Sequence, residues 1–486
     1  MNKKMIAYIL GNVIKICGIL MLLPCIISII YKEQVGFYYL GVSLLSILIG
    51  ILITLRKPDN TVFYLKEGCI ITSLSWIVLS IMGCLPFYLS GEIPSFTDAL
   101  FETISGFTTT GASILSDVEA LTYTALFWRS FTHWIGGMGV LVFLLAIIPL
   151  SGGSHINIMR AESTGPSVGK LVPKIKHTAR ILYLIYFALT VIMIVFLLAG
   201  GMSVFDSFTT AFGTAGTGGF GIKNDSLMSY SPYIQWVVTI FMITFGINFN
   251  AFYLILFGQI KKAFSIEEVK CYLLIIFASI TLIFISLLDT SASIFEALTH
   301  SSFQVASIIT TSGFASTDFN LWSSAAKSIL VLLMFIGACS GSTGGGIKVS
   351  RFIVAFKTFL KETTTYLHPK SVKKINMDGK PVEHEVIRSV NVYFVTFILL
   401  FCASVFLVSL EGKDLVTTFT AVTATINNIG PGLELAGPTS NFGHFTDFSK
   451  WVMMFDMLAG RLELFPLIML FHPHVLKEFF SFRKKS

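Results

Sequence analysis

Long stretches free of Asp, Glu, Lys and Arg alternate with short polar connections along the chain, at 34–55, 68–91, 130–159, 181–205, 226–260, 271–288, 328–347 and 389–410. About 20 apolar residues suffice to cross a bilayer as a helix, whose backbone then satisfies its own hydrogen bonds. With a first apolar segment near 6–30 and a last near 462–476, this patterning predicts ten crossings. Lys3 and Lys4 precede the first apolar run, as in a secretory leader. No small-residue cleavage site follows, however, and the run continues to Ile30. The segment therefore reads as a retained first helix.

The same wording recurs four times between these spans. Each time a long apolar helix is followed by a short stretch rich in Phe, Thr and Ala, a glycine-containing loop and another long helix. The short stretches read FTDALFETISGF (96–107), VFDSFTTAFGTA (204–215), IFEALTHSSFQVASI (294–308) and LVTTFTAVTATI (415–426). The loops read TTTGAS (108–113), GTGGFG (216–221), TTSGFAS (310–316) and NNIGPG (427–432). Their matching glycines, Gly111, Gly219, Gly313 and Gly430, are 108, 94 and 117 residues apart. Internal repetition at this scale marks a fold built from one duplicated unit.

The expected fold is an all-α polytopic membrane protein, with four helix–pore-loop–helix repeats around a central pore and two N-terminal helices. It would hold about ten transmembrane helices and four re-entrant half-helices. The expected boundaries are a two-helix preface at 1–60, then repeats at 65–155, 175–262, 265–360 and 388–477. A cytoplasmic connection at 361–387 carries a hairpin-like turn at Asp378-Gly379, and a cytoplasmic tail occupies 478–486.

Composition agrees with immersion in lipid: 54% of the 486 residues are hydrophobic and only 13% are charged, against about 25% in soluble domains. The net charge of +7 would suit a nucleic-acid partner, but its distribution argues otherwise. Alternate loops, beginning with the N-terminus, hold 27 of the 34 Lys and Arg residues. That is the positive-inside pattern, and it puts both termini in the cytoplasm. Seven cysteines lie scattered in or near apolar spans without a CxxC pair, which suits small apolar fillers rather than a metal site or disulfide framework.

The loops carry the candidate chemistry. A dehydrated alkali cation must regain its hydration energy from a ring of oxygens, which an extended backbone supplies through its carbonyls. Glycine permits the unusual dihedrals, and the neighbouring hydroxyls and amides add ligands or brace the loop. Irregular backbone at membrane depth is tolerated where it lines a cavity, and four half-helices would aim their negative C-terminal ends at a cation. Ordinary extracellular turns are the plainer reading of any one such loop.

A second candidate is GSTGGGIK (341–348), inside the apolar span after the third loop. Four glycines in eight residues oppose a regular helix, since each costs roughly 1 kcal/mol against Ala. The stretch reads either as a constriction below the loops, hence a gate, or as a small-residue packing patch. It is not a phosphate-cradling loop, because Val349 follows Lys348 where Ser or Thr is required. Arg461, within the last apolar span, is expensive at membrane depth and so a functional candidate. It would either face the pore as a positive barrier or pair with Asp456 or Glu463. In FWRSFTHWIGGMGV (127–140), Gly136-Gly137 suit close helix packing, and His133 reads as structural rather than as a proton carrier.

These residues resemble the Trk/Ktr/HKT superfamily of potassium transporters, in its TrkH/TrkG branch. The resemblance spans nearly the whole chain and rests on the four loops, FTHWIGGMG (131–139), GSTGGGIK (341–348) and GRLELF (460–465). It implies a potassium filter at Thr109, Thr110, Gly111, Thr217, Gly218, Gly219, Thr311, Ser312, Gly313, Asn428, Ile429 and Gly430. It implies a gate at Gly341, Ser342, Thr343, Gly344, Gly345 and Gly346, with Arg461 below the filter. Potassium is then the transported and bound ion, with no organic cofactor. The implied partners are a second copy of the chain and a cytosolic nucleotide-binding subunit of the TrkA type, in a cytoplasmic membrane. Pro431 after Gly430 departs from the family pattern. The second loop, with glycines at 213, 216, 218, 219 and 221, offers more than one register.

Three function classes follow. Passive uptake of potassium through a gated pore leads. Symport of a cation with protons or sodium also suits broken helices and internal repeats. An enzyme would need His, Ser or carboxylate groups converging at one depth, and none is seen.

Overall fold

The computed structural model describes residues 1–60, 62–139, 175–370 and 374–480. The expected end of repeat one, most of the connection between repeats one and two, residues 371–373 and the tail beyond 480 lie outside the described residues.

Apart from the two-residue antiparallel pairing of Asn376–Met377 with Lys380–Pro381, the regular structure described is helical. Asp378 and Gly379 form the intervening turn, both with positive φ. Six described helices are long and apolar enough to cross a membrane: Lys3–Tyr31, Gly36–Thr54, Leu65–Ser90, Arg180–Ala199, Glu267–Leu287 and His384–Ser409. The first is two helices, Lys3–Leu20 and Leu22–Tyr31, jointed at Met21. Large apolar side chains such as Ile29, Phe37, Leu184, Phe277 and Leu399 project outward from these helices, as a hydrocarbon surround requires.

The two N-terminal helices cross on small residues. A side chain at Gly50 would meet the Gly11 carbonyl at 2.7 Å, and one at Gly18 would meet that of Ser43, also at 2.7 Å. Ser43 closes the contact by donating to the Gly18 carbonyl at 2.6 Å. Small-residue crossings of this kind let backbones approach where lipid supplies no hydrophobic drive. Glu33, between the preface helices, accepts from the backbone N–H groups of Tyr123 and Thr124 at 2.8 and 2.9 Å. The preface thus caps a helix of repeat one.

The short Phe, Thr and Ala stretches form half-helices at Phe96–Phe107, Val204–Ala215, Ile294–Ile309 and Leu415–Ile426. All four start the same way. The side chains of Ser95, Ser203, Ser293 and Asp414 accept from the N–H three residues on, at Asp98, Asp206, Glu296 and Thr417. This is helix N-capping, with an acidic residue in the first turn of three of the four.

The sequence reading needs one correction. The helix after each loop is not one long crossing. These helices run Tyr123–Gly137, Pro232–Phe245, Ser324–Ile336 and Asp447–Arg461, only 15, 14, 13 and 15 residues. The second turns by 91° into Phe249–Leu256. The third gives way to the non-helical stretch 337–348, and the fourth to a break at Leu462–Leu464. Glycine and positive-φ residues mark the breaks: Gly139, Gly337, Glu463 and Leu464 all have positive φ. Hydropathy patterning misses the other breaks because apolar residues continue through them, whereas the break in the third helix is the one that GSTGGGIK (341–348) predicts.

Candidate functional site

The half-helices end as alike as they begin. The N–H groups of Thr109, Thr217, Thr311 and Asn428 donate to carbonyls three residues back, at 3.2, 3.0, 3.1 and 3.2 Å. Those of Thr110, Gly218, Ser312 and Ile429 reach five residues back, at 2.9, 2.8, 2.8 and 2.8 Å. Such paired bonds end a helix through one left-handed residue. That residue is normally glycine, yet here it is Thr109, Thr217, Thr311 and Asn428, with φ of 57°, 54°, 59° and 55°. Placing L-residues there costs roughly 1–2 kcal/mol each, and strain of this kind gathers at functional sites. Two residues on, Gly111, Gly219, Gly313 and Gly430 are again left-handed, with φ of 80°, 76°, 75° and 102°.

The loops then meet one another. A methyl group on Gly111 would strike the Gly218 carbonyl oxygen, one on Gly219 that of Ser312, and one on Gly313 that of Ile429. On Gly430 it would lie 2.8 Å from the Thr110 carbonyl oxygen. Each loop's glycine therefore touches the middle carbonyl of the next, in the order one, two, three, four, one. The ring is closed. All twelve residues named from the sequence fall in it. In the glycine-rich second loop, Gly219 holds the position equivalent to Gly111.

Above the ring lies a cavity of about 180 Å³ whose lining includes Gly111, Gly219, Gly313 and Gly430. Side chains brace the ring from behind. The Asn428 amide donates to Thr110 Oγ1 and to the Met457 carbonyl, both at 2.9 Å, tying loop four to loop one. His133 Nδ1–H donates to the Gly106 carbonyl at 2.7 Å, while its Nε2 accepts from the Phe220 N–H at 3.2 Å. Both ring nitrogens are thus engaged in pinning loop two to the first half-helix, a structural role. Buried Glu102 pairs with buried Arg129 at 2.5 Å. Its two oxygens also accept from Ser113 Oγ and the Ile114 N–H, both at 3.0 Å. Arg129 goes on to the Gly221 carbonyl at 2.6 Å. One ion pair therefore fixes the segments that follow the glycines of loops one and two.

The stretch 337–348 passes beneath the ring and bonds to loops three and four and to the helix of repeat two. The Gly345 N–H donates to Thr311 Oγ1 at 2.6 Å and the Gly346 N–H to the Asn427 carbonyl at 3.0 Å. Thr343 Oγ1 reaches the Phe245 carbonyl at 3.2 Å. The six residues Gly341 to Gly346 all belong to this underpass. Arg461 approaches from the last helix, donating to the Thr343 carbonyl at 3.0 Å and the Gly137 carbonyl at 2.8 Å, and also to that of Gly136. Its guanidinium thus spans from repeat four to repeats three and one. Of the two acids considered as its partners, Glu463 pairs with Arg351 and Asp456 accepts from Ser404 at 2.7 Å. Lys348, also buried, turns its ammonium back to the Gly344 carbonyl.

Sequence reasoning missed the Glu102–Arg129 pair, which no local pattern announces. It also missed Asn248 and Glu268, which meet the ends of the underpass.

Comparison with known proteins agrees with this architecture. A family model described as "TrkH: Cation transport protein" matches residues 39–478. The Trk system potassium uptake protein TrkH of Salmonella typhimurium is 33% identical, over 98% of this chain and 100% of its own. The Trk system potassium uptake protein TrkG of Escherichia coli is 32% identical, over 96% and 97%. The crystal structure of the potassium transporter TrkH from Vibrio parahaemolyticus superposes with a TM-score of 0.88 at 31% identity, covering 98% of this chain and 100% of that one. The chain belongs to the TrkH family of cation transport proteins, integral membrane transporters rather than enzymes.

Proposed function

We propose that the chain takes up potassium through a gated, potassium-selective pore at the ring of four loops, driven by the membrane potential. The observation that carries this reading is the closed order of contacts, each loop's glycine against the next loop's carbonyl. A ring of backbone oxygens replaces the water that a cation sheds. The half-helix C-termini around it add favourable negative potential. Relatives of matching length are named as potassium uptake proteins, which supports potassium as the ion. One charge crossing 100 mV gains about 2.3 kcal/mol, so a negative interior suffices without a second ion.

The underpass at Gly341 to Gly346, fastened by Arg461, is the gate in this reading. The chain works as a homodimer in the cytoplasmic membrane with both termini inside, each copy carrying its own pore, under a nucleotide-binding regulatory subunit of the TrkA type. The basic bias of alternate loops supports the orientation; the resemblance to Trk systems supports the partners.

Rubidium uptake into proteoliposomes tests the reading, with an imposed potential and competing sodium. Uptake that follows the potential and resists sodium is expected; uptake indifferent to potential would reject it. The alternative of symport draws on Asp456, a fully buried acid whose Oδ2 has no hydrogen-bond partner among the described residues. Uptake driven by a proton gradient at zero potential would favour that alternative.

A further inference from the structure

Glu268 is the second residue of the helix Glu267–Leu287 and is only 3% exposed. A buried carboxylate must be hydrogen-bonded, and the partners of this one are unusual. Its Oε1 accepts from two backbone N–H groups, Ser340 at 2.6 Å and Ser350 at 3.2 Å. These residues flank the glycine-rich part of the underpass, Gly341 to Gly346, and their hydroxyls also bond each other. Its Oε2 accepts from the Asn248 amide at 3.3 Å. Asn248 stands at the 91° bend of repeat two, where it caps Phe249–Leu256, and the Phe249 N–H donates to the Gly341 carbonyl at 3.1 Å. One carboxylate therefore gathers both feet of the underpass and the neighbouring bend to a single point.

The adjoining residue faces the cytoplasmic hairpin. The Glu267 N–H donates to Asp378 Oδ1 at 2.7 Å, and its carboxylate pairs with Lys357. Lys357 also donates to the Asn376 carbonyl at 2.7 Å. The helix start that carries Glu268 is thus mounted on the hairpin. A shift of the hairpin would move the carboxylate.

We propose that Glu268 is a positioning residue, the latch that holds the underpass beneath the ring, and that loss of its grip releases both feet and opens the pore. This rests on the pore reading given above. Hydrogen bonds to a charged group are about twice as strong as neutral ones. Glu268→Gln keeps the shape but loses the charge and half of the acceptors.

The test uses the full chain in proteoliposomes, with two readouts. The first is rubidium uptake with its preference over sodium. The second is the rate at which a membrane-impermeant maleimide modifies Cys339, buried beside Ser340, with the other six cysteines changed to Ser. In Glu268→Gln, both uptake and Cys339 modification should rise roughly tenfold, as loss of one charged hydrogen bond allows, with the rubidium preference unchanged. Glu268→Asp should fall between. If Glu268→Gln does not fold, Asn248→Ala removes one of the three bonds and should shift both readouts the same way, by less. Unchanged Cys339 modification in a folded variant would overturn the latch, as would loss of rubidium preference alongside faster modification. Absence of rubidium uptake in the unaltered chain would sink the pore reading instead, while Cys339 modification would still decide whether Glu268 holds the underpass.

Discussion

Arg461 donates to the carbonyl of Thr343 at 3.0 Å, joining the last helix to the underpass directly below the four-loop ring. The same guanidinium reaches the carbonyls of Gly136 and Gly137 in repeat one. A side chain that ties its own repeat to two others fixes the underpass to repeat one. In the proposed pore, the positive charge would also stand in the path of a cation, and both effects would oppose conduction.

Arg461→Ala should therefore raise rubidium flux. Each hydrogen bond from a charged group is worth about 1.5–3 kcal/mol, so losing even one should raise the flux about tenfold. Uptake into proteoliposomes measures it, with elution on size exclusion as the check on folding. Abolished flux in a normally folded variant would show that the arginine serves conduction instead.

Gly111→Ser should lower the preference for potassium over sodium. Its Cβ would strike the Gly218 carbonyl, and φ of 80° costs a non-glycine residue about 1–2 kcal/mol. The ring must widen or tilt there, which spoils the spacing of its oxygens. Competition of sodium with rubidium uptake reads the change. Selectivity equal to that of the unaltered chain would remove Gly111 from the filter.

Glu102→Gln should destabilise the protein by about 3–5 kcal/mol, because it leaves Arg129 buried without its countercharge. Thermal unfolding in detergent measures this. Glu102→Gln combined with Arg129→Met should recover part of the loss, since replacing both partners removes the stranded charge. A double variant whose loss equals the sum of its parts would mean that the pair does not act as a unit.

Ser203→Ala removes one N-cap and should cost about 1 kcal/mol, whereas Ser203→Asp should be near neutral. Asp414 already serves that position in the fourth half-helix. The same unfolding assay separates the two substitutions.

The ring was legible because a duplicated unit repeats its turn chemistry. Thr109, Thr217, Thr311 and Asn428 precede their glycines by two residues each time, and the helix-ending bonds require that spacing. The half-helices were legible from Phe, Ala and Thr at helical spacing between polar ends. The breaks after Gly137, Phe245, Ile336 and Arg461 were harder, because apolar side chains run on through them. Only the glycine-dense 341–346 betrayed its break in composition. Glu102 and Arg129 lie 27 residues apart and meet through the packing of a half-helix on the next helix, and no local pattern joins them. Glu268 is hidden for a similar reason. It reads as an ordinary acidic first-turn residue, and its partners Asn248, Ser340 and Ser350 come from other elements.

The most direct test is to locate the ion itself, by anomalous scattering from crystals grown in rubidium. The account predicts rubidium on the axis of the ring, within coordinating distance of the carbonyls of Thr110, Gly218, Ser312 and Ile429. Rubidium bound elsewhere, with that axis empty in a protein that still transports the ion, would contradict it.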